Sequence, residues 1–313
     1  MSLFKRKRKV GLALSSGSAR GIAHIGVLKE LEKLGVKPHA ISGTSMGAII
    51  GALYCSGVTP DEMETFAKSI KWKSFMLFSD FVLSDTGIIN GQRVEELLKK
   101  FLGNKTFSDC QIPFCCVAVD LARREKVILR EGKLIDAVRA SISIPGFFSA
   151  VHLDNRILVD GGLMEPLPVG ALRTMDTNFI VASSITFKKD MEKYMNYLSG
   201  QEGYENNDKG VSLRESKDTA NEQAGKITKV IKKTGRKKFY TEKLSVRKII
   251  DTSFTIVQEE LHKNYIKYAD IIIESEVGDF FGLLDLKQSS EIIQRGRQAT
   301  IEKTPEIKRK LGL

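Results

Sequence analysis

The sequence predicts an α/β protein, a three-layer α/β/α domain with a mainly parallel central sheet and a basic insertion, and three observations carry that prediction. Short apolar runs end in Ser/Gly turns. Stretches of helical spacing alternate with those runs from the outset, which makes a parallel sheet covered on both faces the economical arrangement. With 313 residues, 42% hydrophobic and 28% charged, the chain can bury a substantial core, and this composition excludes disordered and fibrous classes.

Val10 to Leu14 is an apolar run ending in Ser/Gly residues, as expected of a buried strand. Ile22, Ile25, Leu28, Leu31 and Leu34 then recur at three-residue steps, giving a helix with one buried stripe that Gly35 stops. Ala40 to Ser42 reads as a second short strand, and Ser45 to Tyr54 as a small-residue helix ending near Gly57. Helices are expected over 60–70 and 91–102; between them, 71–90 mixes Trp72, Phe75, Phe78 and Phe81 with Asp and Gly, a cap over an apolar site or aromatics packed under a loop. Strands follow near 114–119, 126–130, 156–159 and 179–184, which puts Ser42, Ser45 and Asp160 just after strand ends, where open α/β sheets take ligands. Residues 188–245 lack sustained periodicity and read as a flexible or partly helical basic insertion. From Val246, Ile249, Ile250, Phe254, Val257, Leu261 and Tyr265 line one helix face; Ile271 to Ile273 gives a last strand and 289–301 a closing helix. The layout is a basic tail (1–9), a core (10–187), the insertion (188–245) and a C-terminal part completing the core (246–313). No internal repeat is visible.

The net charge of +11 is concentrated. Lys5, Arg6, Lys7, Arg8 and Lys9 carry +5 and residues 188–248 carry +7, so the remaining body is close to neutral. Such patches attract phosphate on nucleic acid or on anionic lipid, and charge alone does not choose between the two. Nucleic acid is the weaker reading, because the basic residues lie outside the motif-bearing body and lack interleaved aromatics. In the segment Lys226 to Lys238, seven cations surround Ile227, Val230 and Ile231, a short apolar stripe suited to an anionic membrane surface if helical. Cys55, Cys110, Cys115 and Cys116 have neither metal-ligand spacing nor the density of a disulfide scaffold, so free thiols in a reducing, cytoplasmic compartment are expected. The apolar run after the N-terminal basic residues is too short for a signal peptide, and no run is long enough to span a bilayer, which predicts a soluble or peripheral protein.

The motif with the most chemistry is Gly43-Thr44-Ser45-Met46-Gly47, a G-x-S-x-G between a predicted strand and a predicted helix. A sharp turn there exposes the hydroxyl, the glycines permit close backbone approach, and the helix N-terminus favours developing negative charge. Upstream, Ser15-Ser16-Gly17-Ser18-Ala19-Arg20-Gly21 joins the first strand to the first helix, where backbone N–H groups can converge on an oxyanion. No Gly-Lys-Ser/Thr follows, which disfavours a phosphate loop. For a base, Asp160-Gly161-Gly162 offers a carboxylate on a flexible turn, while His24, His39, His152 and His262 are the four histidines. His262 alone has the chain order of a Ser, Asp, His hydrolase, but a solvated helix-face histidine is the role expected of it.

Together these segments, with Ala140-Ser141-Ile142-Ser143-Ile144-Pro145-Gly146 between them, resemble the patatin-like phospholipase family in order and spacing from Val10 to about Ile185. Residues 246–274 and 289–301 resemble its C-terminal elements, and 188–245 has no counterpart. The resemblance implies a serine lipid acyl hydrolase in which Ser45 attacks an ester carbonyl of a phospholipid or related lipid and Asp160 takes the hydroxyl proton. Gly17, Ser18 and Ala19 would supply oxyanion N–H groups, with Arg20, Gly21, Gly43, Gly47, Gly161 and Gly162 supporting the motifs. It implies no metal and no other cofactor, and hydrolysis that survives loss of any histidine. One departure stands out: the family's oxyanion loop is a run of glycines, whereas this chain has Ser15, Ser16 and Ser18 and keeps only Gly17. Where such a position needs positive φ, serine strains the loop, so a catalytically weak or non-enzymatic lipid-binding relative is one alternative and a non-lipid esterase or thioesterase using His262 another.

Overall fold

The computed structural model describes residues 8–69, 92–186, 246–277 and 288–313. Residues 71–90, expected as a cap or as packed aromatics, Lys5 to Lys7, and the insertion 188–245 with its Lys226 to Lys238 segment lie outside them. The chain separates into two compact units, residues 1–189 with 250–313, and residues 190–249. Of the second, residues 246–249 are described, as helix.

The described strands form one mixed, mainly parallel sheet with helices on both faces. In chain order the elements are β1 (Val10–Leu14), α1 (Ala23–Lys33), β2 (Ala40–Thr44), α2 (Met46–Cys55), α3 (Pro60–Ser69), α4 (Gln92–Leu102), β3 (Phe114–Asp120), β4 (Glu125–Leu129), α5 (Leu134–Ser141), β5 (Val151–Leu153), β6 (Arg156–Asp160), α6 (Val169–Leu172), β7 (Phe179–Thr186), α7 (Val246–Ile266), β8 (Ile271–Glu276) and α8 (Ser289–Leu311). The sheet order is β5-β6-β3-β2-β1-β7-β8, with β4 also paired to β3. Pairings among β3, β2, β1, β7 and β8 are parallel; those of β4, β5 and β6 are antiparallel.

Buried strands explain the continuous apolar runs. Every residue of β1, β2 and β3 is buried, as it must be when both faces are covered. Leu12, Leu14 and Val181 pack with α1, α2, α5 and α8 in the larger core, while Ala13, Ile180 and Ala182 face Leu167, Val169 and Leu172, with Tyr265 and Ile266 of α7 against them.

Several boundaries differ from those read in the sequence. Strand β2 continues through Thr44, so Ser42 is a mid-strand residue whose Oγ donates to the Pro168 carbonyl at 2.7 Å. Helix α8 runs on past residue 301 and through Pro305, because Ile307 beyond it is fully buried against the core. The β5–β6 hairpin turns on Asp154 and Asn155, both at positive φ (48° and 57°), the geometry of a tight two-residue hairpin. On α7, Phe254 is buried, but Ile249 and Val257, read as part of its apolar face, are exposed.

The register along β3 matters most for the site. Strand β2 pairs with Ile41 to Thr44 against Phe114 to Val117, and β6 pairs with Asp160 against Ala118. Since β4 occupies the other edge of β3 over Cys116 to Asp120, β2 and β6 share one edge, end to end. Their C-terminal ends therefore meet at consecutive β3 residues, Val117 and Ala118.

Candidate active site

Ser45 follows β2 directly and opens α2 at φ 55°, ψ −120°, a backbone conformation that side chains beyond glycine rarely adopt. What holds it is close packing of the motif's glycines. A Cβ on Gly47 would lie 2.2 Å from the Leu14 carbonyl oxygen, so only glycine lets α2 start this near β1. The Ser45 N–H donates to Ser141 Oγ at 3.1 Å, and Ser141 Oγ donates to the Val117 carbonyl at 2.6 Å. Ser141 thus fills the gap where β2 and β6 abut.

Asp160 ends β6 and is completely buried; Ser45 is only 4% exposed. The Asp160 N–H donates to the Ser143 carbonyl at 2.9 Å, so the segment from Ala140 to Gly146 fixes both residues. Gly162 N–H donates to Asp160 Oδ1 at 2.7 Å. Burial pushes the Asp160 carboxyl up to about 7, against the lowering effect of hydrogen bonds from the Ser45 hydroxyl and Gly162 N–H. The Ser45 contact is loose: Oδ2 has no well-aligned partner among the described residues. The segment after Asp160 is stitched back to β2, where Thr44 Oγ1 donates to the Glu165 carbonyl at 2.8 Å.

The Ser15 to Gly21 loop leads from β1 into a 3-10 turn, Ser18–Ile22. Ser18 has φ 51°, so one of the serines that replace glycine does occupy a left-handed position. Among the described residues, the N–H groups of Gly17, Ser18 and Ala19 meet no acceptor. Arg20 is half-buried in the turn. Gly21 abuts Met46, the residue after Ser45, with room for no Cβ (2.6 Å), which ties the loop to the serine turn.

Two histidines contribute contacts that sequence reasoning missed. His24 is fully buried; its Nε2 lies 2.9 Å from the Ser15 carbonyl and its Nδ1 2.7 Å from Ser183 Oγ. A carbonyl only accepts, so Nε2 carries the proton and Nδ1 accepts from Ser183. Burial lowers the His24 pKa to about 4, which keeps the ring neutral. His262 is half-buried, contrary to the solvated helix face expected for it: Nε2 lies 3.0 Å from Ser184 Oγ, and burial lowers its pKa. No period or motif marks these pairs, because their partners lie far away in the chain.

A cavity of about 210 Å³ adjoins the loop, lined by Ser16, Gly17, Pro166, Ile185, Gln258 and His262, among others. Gln258 also packs its amide over Gly162. Among the described residues, no group of His, Cys, Asp and Glu is arranged to hold a metal ion, and no helix is long and apolar enough to cross a membrane.

The sequence profile of patatin-like phospholipases matches residues 12–173. An uncharacterized NTE family protein of Mycobacterium tuberculosis is 35% identical over 177 residues, covering 56% of this chain and 49% of its own length. Neuropathy target esterase sws of Drosophila melanogaster is 30% identical over 200 residues, 61% of this chain and 14% of its own. The chain therefore spans about half the length of the mycobacterial relative, and less of the insect one. Among solved structures, VipD from Legionella pneumophila aligns over 96% of this chain and 67% of its own, with a TM-score of 0.48 and 12% identity.

Proposed function

The chain belongs to the patatin-like phospholipase family, and we propose that it is a serine hydrolase cleaving acyl ester bonds of phospholipids or related lipids through Ser45 and Asp160. The observation that carries this reading is the meeting of a strained serine turn and a buried carboxylate at adjacent β3 positions. A carboxyl with a pKa of about 7 is a far better proton acceptor at neutral pH than a solvated aspartate.

In this reading Asp160 accepts the Ser45 proton as Oγ adds to the ester carbonyl, and a bound ester tightens the loose Ser45–Asp160 contact. The oxyanion of the tetrahedral intermediate lies against the N–H groups of Gly17, Ser18 and Ala19. Protonated Asp160 then returns its proton to the departing alcohol, leaving an acyl-enzyme on Ser45. Water, deprotonated by the same carboxylate, releases the acid and restores the serine. Arg20 stays cationic throughout, so its part is to order the loop or meet a phosphate. An anionic membrane surface is the proposed partner, reached through Lys5 to Lys9 and Lys226 to Lys238 from the cytoplasmic side.

The deciding experiment is hydrolysis of phospholipids, lysophospholipids, acylglycerols and soluble esters by purified protein, with Ser45→Ala as control. Release of fatty acid from a lipid class by the wild type alone supports the proposal. Hydrolysis retained by Ser45→Ala, or confined to soluble esters, refutes it.

A further inference from the structure

We infer that His24 is a positioning residue for the reaction, holding the Gly17 to Ala19 N–H groups in place by closing the loop into a ring with Ser15 and Ser183. This inference rests on the reading of those N–H groups as the oxyanion donors. Ser15 precedes the donor segment and His24 follows it. The His24 ring donates to the Ser15 carbonyl at 2.9 Å, bridging the two ends of the loop. Both ends are tied to the same β7 residue: Ser15 N–H donates to the Ser183 carbonyl at 3.0 Å, and Ser183 Oγ donates to His24 Nδ1 at 2.7 Å.

Ser15 is held from further directions. Its Oγ accepts from Ile185 N–H at 3.0 Å and donates to the Ser16 carbonyl at 2.8 Å, while Ser16 N–H donates to the Pro166 carbonyl at 2.7 Å. A glycine at position 15 would lack the Oγ bonds, so the serine that departs from the family's glycine run works as an anchor. The strained Ser18 lies inside this ring. Strain of that kind persists where the surroundings over-determine the backbone, and the ring supplies the over-determination. The His24 ring spends both nitrogens on Ser15 and Ser183 and neither on Ser45 or Asp160, which separates its role from that of the base. The expectation that every histidine is dispensable is thereby narrowed to His39, His152 and His262.

The test compares His24→Phe, which fills the space without hydrogen bonds, with His24→Gln, whose amide reaches toward the Ser15 carbonyl. Turnover of a short-chain p-nitrophenyl ester and hydrogen–deuterium exchange of the amides of residues 15–22 are measured on both. For His24→Phe the expected result is a kcat lower by about a hundredfold with KM within about threefold, and faster exchange confined to the loop. His24→Gln should recover both to within about tenfold of the wild type. Should His24→Phe fail to fold, Ser183→Ala opens the ring from its other side and should show the same pattern more weakly. Unchanged turnover and unchanged loop exchange in His24→Phe would overturn the inference, as would a loss spread over all strands that His24→Gln does not repair. If the wild type hydrolyses nothing, the functional reading fails by itself, and loop exchange still decides whether His24 holds the ring.

Discussion

At Asp160, stability and chemistry pull against each other. A carboxyl raised from its usual 3.8 to about 7 by burial binds its proton more tightly in the folded than in the unfolded chain. Between about pH 4 and pH 7 the native state therefore holds the extra proton, and unfolding free energy falls as pH rises through that window. The cost above pH 7 is roughly 4 kcal/mol, the size of a three-unit shift. Asp160→Asn removes it, so the variant should gain stability over the wild type as pH increases from 4 to 8, measured by denaturant unfolding. His24, buried neutral, acts in the opposite sense below about pH 6.5, and the difference between variant and wild type cancels its contribution. A constant difference at all pH values would mean that Asp160 is not perturbed. Ser18 poses the second residue-scale question. Relief of about 1 kcal/mol of left-handed strain in Ser18→Gly is offset by the greater unfolded-state freedom of glycine, so Tm should hardly move. Turnover should rise modestly if that strain displaces an N–H; equal or lower turnover would show that the loop already has competent geometry with serine.

At the scale of elements, much of the site was legible because it rests on local patterns. The strand, the G-x-S-x-G turn and the small-residue helix after it are contiguous, and the structure places them as β2, Ser45 and α2. The β2–β6 junction was not legible: pairing of Thr44 with Val117 and of Asp160 with Ala118 depends on register between strands distant in the chain. For the same reason the roles of Ser141 and Ser143 carry no signal of their own. The glycines of the two turns differ physically in a way that composition hides. At Gly47 an added Cβ would strike backbone, the Leu14 carbonyl at 2.2 Å, whereas at Gly162 it would strike the movable amide of Gln258. Gly47→Ala should therefore cost about 3 kcal/mol or more, and Gly162→Ala about 1 kcal/mol while changing turnover. Thermal unfolding of the two variants checks this, and equal losses would contradict it.

For the whole molecule, charge is the property that the sequence displays most plainly. The two described cations of the N-terminal run are engaged by the folded body: Lys9 pairs with Asp176, and Arg8 lies over the Phe179 ring at 4.7 Å. The proposed membrane attraction therefore falls mainly to Lys226 to Lys238, each cation near an anionic surface contributing about 1 kcal/mol. Co-sedimentation with anionic vesicles should drop sharply when residues 226–238 are neutralised, and undiminished binding would defeat that proposal without touching the chemistry. The central claim is that Ser45 is a nucleophile activated by Asp160, and covalent labelling by an organophosphonate ester tests it most directly. Peptide mass spectrometry should find one adduct, on Ser45, formed at least about a hundredfold more slowly in Asp160→Asn and at an unchanged rate in His262→Ala. No adduct on Ser45 in folded protein, or labelling of Asp160→Asn at the wild-type rate, would contradict the account.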